Sequence, residues 1–572
     1  CAECHSTRLT KGYDPDSGAY QTSWFEIDVG CEACHGPGSK HLEWADKPPL
    51  ARPVAEDYAL VVRSGQLDTS EQIKLCAPCH SRRFQLGDNR HVEGELLDLM
   101  VPSLLDEGLY YPDGQILEEV YVYGSFVQSK MYQHGVRCSD CHDVHSLKRH
   151  KEKNELCTQC HRAEVYDSKA HHFHKRVHNG QPSEGHLCVK CHMPGRYYMG
   201  IDYRPDHSLR IPRPDLSAKL DTPNACSAVG CHADKPISWN VDHFNKWYGA
   251  SRKPHYGEVI DAGRDRKPGA ETELIRLAND TLLPTIVRAT ALQLLQSYPS
   301  EASHAALAKA LEDSDAMIRY TAIRSLEFFD AETRLKRIAP KLYDPVKAVR
   351  MEAAVMLSTL PKERLRKDDR ETFQRGLEEY QEAMLYNADL APQRYNLGNL
   401  AANLGDDARA FEAYQRAIVI DDQFYPAKVN LAMLYNRQGN NLEAEKLLRE
   451  VVEQQPQLYE VAYSLGLLLA EMQRYVDAEK YLQLAAVGMP AYGRVHYNHG
   501  QILLMLNRSA QAETSLQKAL SIEPQNLDYF VVLANHYLKS GQPERAKTLA
   551  ENTLKKFPEH PVAKDLQQQL NQ

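Results

Sequence analysis

The sequence predicts a mainly α protein, with a loop-rich, cysteine-bearing region followed by an α-solenoid. Three observations predict it. All 14 cysteines fall before residue 232, in a recurring word that ends in histidine. Arg, Ala and Leu repeat every 31 residues through about 270–365. Small residues recur with a longer period, through about 390–560.

The word is C-x-x-C-H. It occurs as Cys1, Cys4 and His5; Cys31, Cys34 and His35; Cys76, Cys79 and His80; Cys138, Cys141 and His142; Cys157, Cys160 and His161; and Cys188, Cys191 and His192. A stretched form, Cys226, Cys231 and His232, has four spacer residues. This is the attachment signature of c-type haem. Two thiols reach two vinyl groups of one porphyrin and form thioethers. The adjacent histidine then offers a nitrogen to iron as the proximal ligand. Zinc ribbons need paired C-x-x-C units about 15–20 residues apart, and the gaps here vary widely. A disulfide framework would not place histidine after every second cysteine. Small tetrahaem cytochromes c3 tolerate four spacers, so seven covalent haem c groups are expected, or six if Cys226 and Cys231 stay unattached.

At 572 residues the chain is long enough for several domains, and its net charge of −9 argues against a nucleic-acid partner. No run of 18 or more apolar residues offers a membrane span. The chain begins at cysteine rather than methionine, which reads as a processed or truncated start. Haem attachment of this type occurs outside the bacterial cytoplasm. A periplasmic or extracellular location is therefore expected.

Residues 1–265 hold every cysteine and read as a loop-like multihaem cytochrome c domain. The stretch "RPDHSLRIPRPDLSAKLDTPNAC" is dense in turn signals. So few residues per cofactor mean that porphyrins must supply much of the core and must touch.

Residues 270–365 read as helical repeats. Arg288, Arg319 and Arg350 align, as do Ala291, Ala322 and Ala353, and Leu295, Leu326 and Leu357. The pattern is HEAT-like, although shorter than the usual period of about 40–47. Residues 370–572 read as tetratricopeptide (TPR) repeats. Leu397-Gly398, Leu431-Ala432, Leu465-Gly466, His499-Gly500 and Leu533-Ala534 recur with Ala410, Ala444, Ala478, Ala512 and Ala546. Small residues let paired helices approach, and Pro456, Pro490, Pro524 and Pro558 close the units. Residues 370–389 would add a degenerate helix.

The stretches "GCEACHGPGSKH", "YGSFVQSKMYQHGVRCSDCHDVHS", "HHFH", "CVKCHMP" and "DHSLRIPRPDL" resemble multihaem c-type cytochromes with C-terminal HEAT and TPR repeats. That family is related to the cytochrome c nitrite reductase and hydroxylamine oxidoreductase superfamily. Two departures weigh against the catalytic members. No word here ends in lysine, as one does in the penta-haem nitrite reductases. No tyrosine stands out for the crosslink of hydroxylamine oxidoreductases.

Histidine on both sides of haem iron saturates it and lowers its potential relative to Met/His. Outside the words, 13 histidines fall within 1–265, against five in the repeats. His41 and His145 follow haem words on short turns. His171, His172 and His174 stand close enough to serve two haems. His207 follows Pro-Asp, and His255 ends the region. The resemblance implies these same positions as distal ligands. His91, His134 and His243 are weaker candidates, and Met131 is a thioether alternative.

The function expected from sequence is electron transfer along seven packed, mostly bis-histidine haems. The repeats would then dock redox partners, such as other cytochromes, or further copies in a filament or extracellular conducting assembly. A reductase or oxidase of a small nitrogen or sulfur compound is the alternative. A third reading is a repeat scaffold whose haems only stabilise it.

Overall fold

The computed structural model describes residues 2–88, 94–327 and 329–570. Cys1 and His91 lie outside them. The chain forms two compact units, 1–387 and 388–572.

The first unit begins with short helices, turns and two-stranded ladders. The helix Thr69–His80 starts on a capping box: Asp68 accepts from the Glu71 N–H, and Glu71 accepts from the Asp68 N–H, each at 2.9 Å. That cap fixes the word holding Cys76 and Cys79 on the last turn. A hairpin pairs Gly195–Tyr198 with Asp202–Pro205 and points the chain toward His207. A longer helix, Ile237–Tyr248, follows the last word.

The cysteine region is unusual in what it fails to bury. Among the described residues, segments 2–72 and 128–197 contribute no hydrophobic side chain to the core. Phe25 is 66% exposed, Ile27 77%, Leu50 104% and Leu147 91%. A chain of this length normally removes its large apolar side chains from water, at roughly 25 cal/mol per Å². The stretch between those segments, with Met100, Leu105 and Tyr110, is packed instead.

That stretch is held by the HEAT-like helices. Helices Thr285–Leu295, Ala316–Arg324 and Lys347–Leu357 begin at the interval of the repeated arginines. Ala291, Ala322 and Ala353 are each 0% exposed, which is why the period demands alanine there. The repeated arginines have one job. Arg288 pairs with Asp313 at 2.5 Å, Arg319 with Asp344 at 2.7 Å, and Arg350 with Glu379 at 2.7 Å. Thr290 accepts from the Leu105 N–H at 3.1 Å, and the Lys347 N–H donates to Asp98 at 2.7 Å. The helix Lys367–Tyr386, which the sequence offers as a degenerate start of the TPR array, falls in this first unit. At its end Asn387 donates to the Gln85 carbonyl at 2.9 Å.

The second unit keeps strict register. Its first-of-pair helices begin at Ala391, Tyr425, Tyr459, Gly493, Leu527 and Pro561, evenly spaced along the chain. Their partners begin at Asp407, Asn441, Tyr475, Ser509 and Pro543, at the same interval. Ala410, Ala444, Ala478, Ala512 and Ala546 are each 0% exposed. A Cβ on Gly398 would stand 2.5 Å from the Tyr414 ring, and one on Gly466 2.7 Å from Leu482. The small residues of the period are thus contact points between paired helices. Among the described residues no helix is long and apolar enough to cross a membrane.

Candidate functional site

No two of the thirteen described word cysteines are joined by a disulfide. Thiols of different words meet: Cys76 with Cys138, and Cys157 with Cys188. The Cys4 thiol donates to the Cys79 carbonyl at 3.8 Å. Burial pushes the Cys191 thiol up to about 12. Asn154, which no sequence motif singles out, pins two words together. Its Oδ1 accepts from the Cys188 N–H at 2.9 Å, and its Nδ2 donates to Asp167 at 2.8 Å and to the His186 carbonyl at 3.0 Å.

The histidines are arranged more regularly than the thiols. Four word histidines each stand opposite one histidine from outside the words. The ring centres are 6.1 Å apart for His35 and His145, 6.3 Å for His142 and His207, 6.1 Å for His192 and His171, and 6.1 Å for His232 and His174. The ring planes differ by 10°, 29°, 8° and 38° respectively. No residue serves in two pairs. By contrast Phe173 and Trp247 stack at 4.9 Å.

Hydrogen bonds set the tautomers. Nδ1 of His192 is bonded to the Arg210 carbonyl at 2.8 Å, and Nδ1 of His207 to the Pro205 carbonyl at 2.9 Å. Nδ1 of His41 reaches the Tyr58 carbonyl at 2.7 Å, and Nδ1 of His174 the His172 carbonyl. A carbonyl only accepts, so each Nδ1 carries the proton and Nε2 keeps its lone pair. Burial holds the His80, His142, His192, His207 and His232 imidazoles below the ordinary histidine range, hence neutral. Neutral imidazole with a free Nε2 is the metal-ligating form.

Other expected ligands stand differently. Nδ1 of His172 accepts from the His174 N–H at 3.2 Å, and Nδ1 of His255 from the Gly257 N–H at 3.0 Å. Their neutral forms therefore carry the proton on Nε2. His255 caps the helix Tyr256–Arg264. His172 lies 6.2 Å from His186, and His41 lies 6.0 Å from Trp44. Among the described residues, the structure brings none of His41, His172 and His255 opposite a word histidine as a ring pair. Nor are His5 and His80 so paired among them, and His161 stands 5.6 Å from Tyr166.

These residues fit a haem. Two imidazoles binding one metal ion from opposite sides, with bonds of about 2 Å, hold their ring centres about 6 Å apart.

Family models match the repeats. HEAT repeats match residues 273–364, and tetratricopeptide repeats match 394–424, 429–492, 465–526 and 503–570. No curated protein matches the chain. Among solved structures, a crystal structure of MamA protein is 20% identical, covering 29% of this chain and 91% of that one, with a TM-score of 0.28. MamA from Desulfovibrio magneticus RS-1 is 16% identical, covering 29% and 93%, at 0.27. YrrB, described as a TPR protein with an unusual peptide-binding site, is 19% identical, covering 33% and 97%, at 0.29.

The electron-carrier reading is thereby corrected, and with it the reductase alternative and the conducting assembly. What is recognised over 273–364, 394–424 and 429–570 is HEAT and tetratricopeptide repeats. Among the described residues no group of three or more His, Cys, Asp or Glu is gathered to hold a metal ion. The chain is mainly helical, and its second half carries HEAT and tetratricopeptide repeats.

Proposed function

We propose that the chain is a helical-repeat scaffold for a protein partner, and that covalently attached haem c completes the fold of the region 1–265. One contrast carries this reading. The repeats bury their own alanines and leucines, whereas among the described residues of 2–72 and 128–197 no apolar side chain is fully buried. Seven haems, held by the word cysteines and their histidines, would supply the missing core. With such attachment goes export from the bacterial cytoplasm.

The partner surface lies along the first-of-pair helices of the second unit. Asn430 donates to Asn399 at 2.8 Å and Asn498 to Tyr463 at 2.6 Å, which ties neighbouring repeats together. Beside this ladder Met433 is 61% exposed and Leu467 39%, at one repeat position, and Met505 is 62% exposed. Extended surfaces of stacked repeats bind proteins, and adaptable methionines suit that use.

The test has two arms. Made without haem attachment, the chain should lose its ordered structure within 1–265 to limited proteolysis while 388–572 resists. Crosslinking in the source cells should join a protein to the wild-type chain, and Met433→Glu with Leu467→Glu should abolish the crosslink. A fully protease-resistant haem-free chain would refute the haem arm. Crosslinks unaffected by the double substitution would refute the docking surface.

A further inference from the structure

We infer that four irons are shared by specific histidine pairs: His35 with His145, His142 with His207, His192 with His171, and His232 with His174. This rests on haem c being attached, and it adds which distant histidine completes which word. The warrant is repetition. Each pair joins one word histidine to one histidine outside the words, at 6.1 to 6.3 Å, without sharing a member. His172 and His186 also lie 6.2 Å apart, but neither ends a word and their planes differ by 61°, whereas the four pairs each include a word histidine and differ by 38° at most. Where the Nδ1 bond is to a carbonyl, at His174, His192 and His207, the nitrogen left over is the one a metal needs.

The pairing is not local in sequence. His145 completes a word that ends 110 positions earlier, and His207 one that ends 65 positions earlier. His171 and His174, three positions apart, complete two different words, the sixth and the seventh. The last turn of the helix Ile237–Tyr248 reaches both. Trp247 lies 5.8 Å from the His174 ring, and the Tyr248 hydroxyl donates to the His171 carbonyl.

Loss of one word should silence the substitution of its own distal histidine and no other. In the full chain with haem attached, His145→Ala should convert about one haem in seven to high spin and let carbon monoxide bind it. In a Cys31→Ser/Cys34→Ser background, whose mass falls by one haem, His145→Ala should add no high-spin signal. His207→Ala should still add its own there. If His145→Ala adds the same signal in both backgrounds, or none in the unaltered chain, the pairing is wrong. Should the cysteine variant fail to mature, His174→Ala against Cys226→Ser/Cys231→Ser makes the same comparison. On the unaltered words, His207→Met should restore the low-spin state that His207→Ala loses, and failure to do so counts against His207. A wild-type mass without haem would instead overturn the proposed cofactor, and is distinguishable from wrong pairing.

Discussion

The rings of His171 and His192 lie with centres 6.1 Å apart and planes within 8° of each other, although one follows a haem word and the other ends one. His172, the next residue, has its Nδ1 occupied by the His174 N–H at 3.2 Å. The two neighbours should therefore behave differently. His171→Ala should produce one high-spin haem, seen by electron paramagnetic resonance, and His172→Ala should produce none. Equal effects would show that the hydrogen-bond pattern does not select the ligand.

The second unit should fold alone. Residues 388–572 should be colourless, strongly helical by circular dichroism, and cooperative in urea. Gly466→Ala tests its packing. Alanine gains up to about 1 kcal/mol in helix propensity. A Cβ 2.7 Å from buried Leu482 costs about 1–3 kcal/mol by overpacking, so the fragment should be destabilised overall.

In the first unit Arg319 and Asp344 pair at 2.7 Å, with side chains 11% and 5% exposed. Arg319→Ala leaves a buried carboxylate without its cation, and should cost about 3–5 kcal/mol. Thermal unfolding should show it. Arg276→Ala, at an arginine 72% exposed in its ion pair, should change stability by less than about 1 kcal/mol.

Burial holds His496, His499 and His560 below the ordinary histidine range, against the opposing pull of Glu479 on His499. The unfolded chain then binds protons near pH 6.5 that the folded unit refuses. Stability of 388–572 should be full above that pH and fall as pH drops below it. His499→Gln should flatten the decline. Denaturant midpoints from pH 7.5 to 5 measure this, and a midpoint independent of pH would contradict it.

The repeats were legible because their constraint is periodic. Ala291 and Ala410 must be small, so their recurrence marks the helix pairs. The cysteine words were legible because their chemistry is local. His145, His171, His174 and His207 could be singled out from the sequence, but not which word each faces, since His35 meets His145 only through the fold, and nothing near His192 in sequence points to the Arg210 carbonyl. Nor could sequence show that Asn387, at the end of the helix Lys367–Tyr386, would bond to Gln85 rather than begin the tetratricopeptide array. The electron-carrier reading rested on the cysteine words alone, whereas what is recognised in the chain is HEAT and tetratricopeptide repeats.

The most direct measurement is the intact mass of the full chain produced with haem-attachment machinery. The account predicts the 64.9 kDa polypeptide plus seven haems, with the region 1–265 protease-resistant only in that form. A mass equal to the bare polypeptide, with that region already ordered, would contradict it.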